Sequence, residues 1–423
     1  MSPRKTWRPR NVDRVWMPLT PDRREPANRL AGELLHDDPE HELLLARAGT
    51  AERRRQSEDR ARRLAASADW GRLEQLLESS RVFPSLGPRL AELAPENVAA
   101  GFGEALARAR QAAGGDEIVF QLTAHQVHTA LAARGIRSAL LKGPLLGRAA
   151  YGEAGRRLSN DIDVLVPAED LHTAAAALRE LGYQPPTDHL EADGLPLLHL
   201  TMAHGESKLP SVELHWRIHW YEREFARRHL LPPEPGAPSD WRPEPTADFA
   251  ALLLFYARDG FVGLRYPSDL SAWWDRHADE VDPSELARLA ATYPALRPAL
   301  AAALAVAGRT IGLPDVLTAG CGDLGRRVRL AVRLADPYPY PSMHQAYAEI
   351  SLIDGLLTPR NKLGEYARRQ ILPPAAVLRE HAERAEEEVI SPLGYGFRTL
   401  LRYALALSRI SGLPLGSRAR FAG

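Results

Sequence analysis

Between Arg157 and Val166 the chain reads Arg-Leu-Ser-Asn-Asp-Ile-Asp-Val-Leu-Val. A dense run of aliphatic and β-branched residues favours a strand, and strand side chains alternate between faces. Asp161 and Asp163 therefore share one face, with Cα atoms roughly 6.5–7 Å apart. The other face is apolar and needs a cover. The acidic face carries an electrostatic cost, since two like charges ~4 Å apart repel by about 4 kcal/mol at an effective dielectric of about 20. Solvated acids on an edge strand and a clamp for a hard divalent cation are both compatible with the pair alone.

The flanking residues narrow the choice. Upstream, Ile136–Leu141 reads as a short buried strand following a helix that ends near Gly135. Lys142-Gly143-Pro144 then turns the chain into a helix expected from Leu145 to Tyr151, with Gly152 as its stop. Glycine permits close backbone approach, a helix start offers free N–H groups to phosphate, and Lys142 adds a point charge. Downstream, a helix is expected to Leu181, with Leu171, Ala174, Ala175, Leu178 and Leu181 as its apolar stripe and Gly182 as its cap. In Val212–Ile218, alternation places Val212, Leu214, Trp216 and Ile218 on one face and Glu213, His215 and Arg217 on the other. Glu213 is thus a candidate third carboxylate beside Asp161 and Asp163, suited to completing a metal shell or accepting a proton.

Taken together, Lys142-Gly143, Tyr151, Arg157, Asp161-Ile162-Asp163, Gly182-Tyr183 and Glu213-Leu214-His215-Trp216 resemble a poorly characterised group of bacterial nucleotidyltransferase-like proteins in the DNA polymerase β superfamily. The resemblance runs from about Asp69 to about Glu380 and includes Asp69-Trp70 and Arg368–Pro373. It implies an α+β fold, a small mixed sheet with helices, flanked by N-terminal and C-terminal helical regions. It also implies that Asp161, Asp163 and Glu213 hold Mg²⁺ or Mn²⁺, and that a nucleoside monophosphate passes from an NTP, ATP being the first expectation, to a hydroxyl acceptor with release of pyrophosphate. On this reading Lys142, Gly143 and Arg157 meet the triphosphate, Ser159 matches a serine in related toxin-type proteins, and His215 assists proton transfer or orients Glu213. One departure is that Gly143 lies eighteen residues before Asp161, where the superfamily usually has Gly-Ser or Gly-Gly roughly ten residues before it. An inactive nucleotide-binding or regulatory protein on the same fold is the alternative. A zinc hydrolase using His215 and His219 is a third reading, although the alternation around those residues indicates strand and no His-Glu-x-x-His occurs.

The remaining sequence sets bounds. Residues 1–26 carry Arg4, Lys5, Arg8, Arg10, Arg14, Arg23 and Arg24 with no apolar stretch, as in a flexible basic tail. Residues 27–115 form an N-terminal helical region, in which Leu30, Leu34, Leu35, Leu73, Leu76 and Leu77 recur at helical spacing. Gly114-Gly115 is expected to separate helices, with Asp116 capping the next one and Ile118, Leu122 and Val127 facing a core. Residues 116–230 hold the catalytic core, 231–248 a proline-rich linker and 249–423 a C-terminal helical domain. In that domain helices are expected over 250–258, 268–277, 283–308 and 325–336, and Arg265 and Asp269 are candidates for the nucleotide or the acceptor. Arg368, Arg369, Arg398 and Arg402 are further candidates for an acceptor groove. Basic and acidic residues balance at 54 each, so no general attraction to nucleic acid, no stable DNA binding and no membrane partner are expected. The single cysteine, Cys321, excludes an intramolecular disulfide and fits a cytoplasmic location. The acceptor stays open among a small molecule, a peptide or protein, and RNA.

Overall fold

A computed structural model describes residues 38–411 except 186–189, 191–193, 206–208, 323, 336–342, 374, 376 and 380–390. The basic tail and Leu30, Leu34 and Leu35 lie outside the described residues.

The N-terminal part comprises α1 (Pro39–Ala48), α2 (Ala51–Gln56), α3 (Glu58–Ser67), α4 (Trp70–Ser79), α5 (Phe83–Ala91) and the long α6 (Glu96–Ala132). Leu43, Leu44, Leu73, Leu77, Leu86 and Phe102 form its core. Helix α6 runs unbroken through Gly114-Gly115, contrary to the expected separation, and Asp116 caps nothing. The glycines serve a neighbour instead. Gly155 lies so close to α6 that a Cβ there would sit 3.1–3.3 Å from Arg110 O and Gly114 backbone atoms. Its N–H also donates to Glu117 at 2.5 Å. Only Val127 of the three expected core residues is buried, while Ile118 and Leu122 are exposed.

The sheet has the order β1 (Ala139–Leu140), β2 (Asp161–Leu165), β4 (Ser211–His215), β3 (His199–Met202). Strands β2 and β4 are parallel, with Asp163 opposite Glu213, and β1 and β3 are antiparallel to their neighbours. The expected Ile136–Leu141 strand is reduced to two residues. Between strands lie α7 (Pro144–Tyr151) and α8 (Leu171–Glu180), and α9 (Glu224–His229) follows β4. Gly152, at φ 76, ends α7 as expected. Leu171, Ala174, Ala175 and Leu178 of the α8 stripe are buried, whereas Leu181, beyond the helix end, is exposed.

Alternation divides the sheet into two environments. Ile162, Val164, Leu200, Met202, Val212 and Leu214 pack with α6 and α8 residues in one core. On the opposite side, Ala139 and Leu165 belong to a second core with residues of α10 (Pro245–Arg258), α11 (Arg265–His277), α12 (Pro283–Thr292) and α13 (Arg297–Ile311). Apolar packing therefore runs across the proline-rich segment 231–248, and the later helices roof the acidic face of the sheet. The expected 283–308 helix is split, because Pro294 disfavours α geometry at Tyr293, which adopts φ −115, ψ 73. Further helices are α14 (Asp315–Ala319), α15 (Arg326–Leu334), α16 (Met343–Leu357) and a final one over Pro392–Ser411.

Candidate functional site

The roofed face of the sheet collects the chemistry. Register puts Asp163 and Glu213 side by side on neighbouring strands about 4.8 Å apart. Asp161 lies one strand repeat before Asp163, and His215 one repeat after Glu213. Strand β3 adds a residue that sequence reasoning missed: His199, directly opposite His215, with ring centroids 4.7 Å apart. Its only signal was the alternation of Leu198, Leu200 and Met202 with His199 and Thr201.

Hydrogen bonds lock the cluster. His215 Nε2 lies 3.0 Å from Asp163 Oδ1 and 3.3 Å from Glu213 Oε2, so one imidazole edge bridges two carboxylates. Lys142 Nζ pairs with the same Asp163 oxygen at 2.8 Å and sits 4.6 Å from the centroid of the Phe255 ring. His199 Nδ1 is 3.6 Å from Glu213 Oε2. These placements explain the proton affinities. Burial pushes Asp163 up, but Lys142 and His215 outweigh it and hold the carboxyl well below its usual range. Glu213 follows the same logic, burial being outweighed by His199 and His215, and falls to about 2. Asp161 moves the other way, raised by burial and then by the Asp163 and Glu213 charges. Burial likewise drives His199 down to about 4 and neutral, while His215 is raised because its two carboxylate hydrogen bonds outweigh burial.

The donor set fits a divalent cation. Among the described residues, His199, Glu213 and His215 each offer a ligand atom within 4.8 Å of the others; Glu213 is the one predicted metal ligand in this group, which does not include Asp161 or Asp163. The raised Asp161 is an electrostatic strain that bound positive charge relieves. His219 is not part of this group among the described residues. It is buried elsewhere, and burial, then Arg369, Arg258 and Arg217, bring it to about 3. The paired His215–His219 arrangement of a zinc hydrolase is therefore not assembled.

The expected turn at Lys142-Gly143-Pro144 into α7 is formed. Gly143 adopts φ 75, ψ −142 immediately before α7, a region that favours glycine, and a Cβ there would meet Ser159 Oγ at 3.7 Å. Arg157 is held differently from expectation. Its Nε donates to Asp269 Oδ2 at 2.8 Å and its Nη1 to Ser159 Oγ at 3.2 Å, in a buried pair joined by the Tyr151 hydroxyl at 2.9 Å from Asp269 Oδ1. Asp269, a sequence candidate for the nucleotide or the acceptor, is thus the buried partner of Arg157 and Tyr151. Arg156 instead pairs with Glu153 at 2.7 Å. Of the C-terminal arginines, Arg369 is buried in an ion pair with Asp354 and stacks on Trp220 at 4.2 Å.

A family model described as an uncharacterised nucleotidyltransferase matches residues 66–311, more than half of the chain and every residue of the cluster. The chain belongs to this family. It is a nucleotidyltransferase-family protein with a mixed α+β architecture and a small four-stranded mixed sheet. No curated protein and no solved structure matches it. Among the described residues no helix is long and apolar enough to cross a membrane.

Proposed function

We propose that this nucleotidyltransferase moves a nucleoside monophosphate from an NTP, ATP first among them, to an acceptor hydroxyl and releases pyrophosphate. The observation that carries this reading is the convergence of Asp161, Asp163 and Glu213 on one roofed face of the β2–β4 pair. Mg²⁺ or Mn²⁺ held by these carboxylates would neutralise phosphate charge and acidify the acceptor hydroxyl. Lys142 keeps Asp163 ionised, and His215 fixes the Asp163 and Glu213 carboxylates relative to each other. The Gly143 turn and the start of α7 supply backbone N–H groups suited to phosphate. The acceptor oxygen bonds to the α-phosphorus as the bond to the pyrophosphate oxygen breaks. The hydroxyl proton leaves through Glu213 or the neutral His199 beside it. The acceptor class is a small molecule, a peptide or protein, or RNA.

The test incubates the purified protein with each of four α-³²P-labelled NTPs, Mg²⁺ or Mn²⁺ and a cell extract, beside an Asp161→Ala/Asp163→Ala control. Label on a discrete acceptor only with intact aspartates is the expected result. Transfer retained by the control would overturn the assignment.

A further inference from the structure

Two of the cations that sequence placed at the nucleotide are committed elsewhere, Lys142 to Asp163, and Arg157 to Asp269 and Ser159, which leaves Arg265 of the sequence candidates. Two other guanidiniums flank the carboxylates. Arg258 closes α10 and Arg265 opens α11, at either end of one turn. Arg258 lies 4.9 Å from the centroid of the same Phe255 ring that carries Lys142, with its side chain 8% exposed. Its acidic contact is its chain neighbour Asp259, 3.3 Å from Nε, and Nη1 is buried without a hydrogen bond. Arg265 donates from Nη2 to Leu158 O at 2.6 Å, three residues before Asp161, and its buried Nε has no hydrogen bond. Arg369, matched to Asp354, also keeps a buried Nε without a hydrogen bond, so what distinguishes Arg258 and Arg265 is the element that carries them, the α10–α11 turn over the acidic face of the sheet. A buried N–H without a hydrogen bond is destabilising, so two such groups beside one acidic cluster call for an anionic partner.

The intervening turn is built to hold them. Phe261 is fully buried at φ 62, a left-handed geometry costly for a residue with a Cβ, and packs edge-on to Tyr256 at 5.0 Å. Gly260, at φ 66, leaves no room for a side chain, since a Cβ would lie 2.6 Å from Ile350 of α16. The two arginines also interact electrostatically with the carboxylates, Arg265 with Asp161, and Arg258 with Asp163 and Glu213.

We infer that Arg258 and Arg265 bind the triphosphate of the donor nucleotide, one at each flank of the Asp161–Asp163–Glu213 cluster. This rests on the nucleotidyl-transfer reading; it adds Arg258 and assigns Arg265, a sequence candidate for the nucleotide or the acceptor, to the triphosphate. Guanidinium suits this role because it presents several N–H donors in a fixed plane to phosphate oxygens.

Titration calorimetry with the non-transferable α,β-methylene analogues of ATP, CTP, GTP and UTP, plus Mn²⁺, tests it on the full chain. Free nucleosides and inorganic tripolyphosphate serve as companion probes. Arg258→Gln and Arg265→Gln should each weaken analogue binding roughly 10- to 100-fold. Nucleoside binding and the exposed control Arg223→Gln should be unaffected. Lysine at either position should restore part of the loss, and tripolyphosphate should compete with the analogue on the wild-type protein. Should the glutamine variants fail to fold, the lysine variants and the wild-type competition carry the test. Wild-type binding that is equal in the variants, or indifferent to tripolyphosphate, overturns this inference while leaving nucleotidyl transfer standing. A wild-type protein that binds no analogue overturns both.

Discussion

Replacing Arg157 by leucine separates two roles, a ligand for the nucleotide and a strut of the fold. The structure supports the second. Its side chain and that of Asp269 are 4% and 2% exposed, and the charged atoms are 2.8 Å apart. Two opposite charges at about 4 Å attract by about 4 kcal/mol at an effective dielectric of about 20. Removing one partner of such a pair costs about 3–5 kcal/mol, because the survivor stays buried and uncompensated. In Arg157→Leu the Asp269 carboxylate would keep the Tyr151 hydroxyl, 2.9 Å from Oδ1, which compensates only partly. In Arg157→Leu/Asp269→Leu neither charge of the pair remains. The Tyr151 hydroxyl is then the unpaired group, worth about 1–3 kcal/mol. The double variant should therefore be more stable than either single one, with a coupling of a few kcal/mol. Urea unfolding followed by circular dichroism at pH 7.5 measures all four corners of the cycle. A loss below about 1 kcal/mol for Arg157→Leu, or a double variant that loses the sum of both singles, would refute the reasoning. A folded double variant that no longer binds nucleotide would return Arg157 to the substrate.

The paired aspartates should respond with opposite signs in metal-free protein. Asp161→Asn should stabilise it by about 1 kcal/mol, since burial and neighbouring charge disfavour that carboxylate, whereas Asp163→Asn should cost about 3 kcal/mol by stranding Lys142. Thermal melts with chelator distinguish them, and equal signs would contradict the assigned electrostatics. His41 is pushed down to about 4, chiefly by burial, so below pH 6.5 the unfolded chain takes up a proton that the folded one refuses. Stability should then fall between pH 6.5 and 4 by up to about 1.4 kcal/mol per pH unit from this group, and His41→Gln should flatten that slope in urea titrations across the range. Gly260→Ala, which forces a Cβ to 2.6 Å from Ile350 at a φ of 66, should cost upwards of about 1 kcal/mol. An unchanged melting curve would show that the turn bearing Arg258 and Arg265 is looser than described.

Local order was legible in the sequence because it depends on neighbours along the chain. Alternation put Asp161 and Asp163 on one face, and Glu213 with His215 on another strand's polar face, and Lys142-Gly143-Pro144 announced a turn into a helix. The stop at Gly152 came from the same short-range rules. Where local rules failed, distant contacts accompany the failure: Gly155 rests on Gly114 of the continuous α6, and the sheet core takes Ala124, Val127 and Leu131 of that helix while Ile118 and Leu122 face outward.

Pairing was decided by tertiary structure alone. Only the register of β2 against β4 sets Asp163 beside Glu213, and only β3 brings in His199. Partner choice for the cations is equally non-local, with Arg157 and Asp269 lying 112 residues apart. Buried charges take whichever counter-charge the packing places within about 3 Å, and sequence spacing carries no record of that distance. Alternation therefore determined which side chains of β2 and of β4 share a polar face. The packing of α10 and α11 over the sheet determined which cations stand beside it and which are already spoken for.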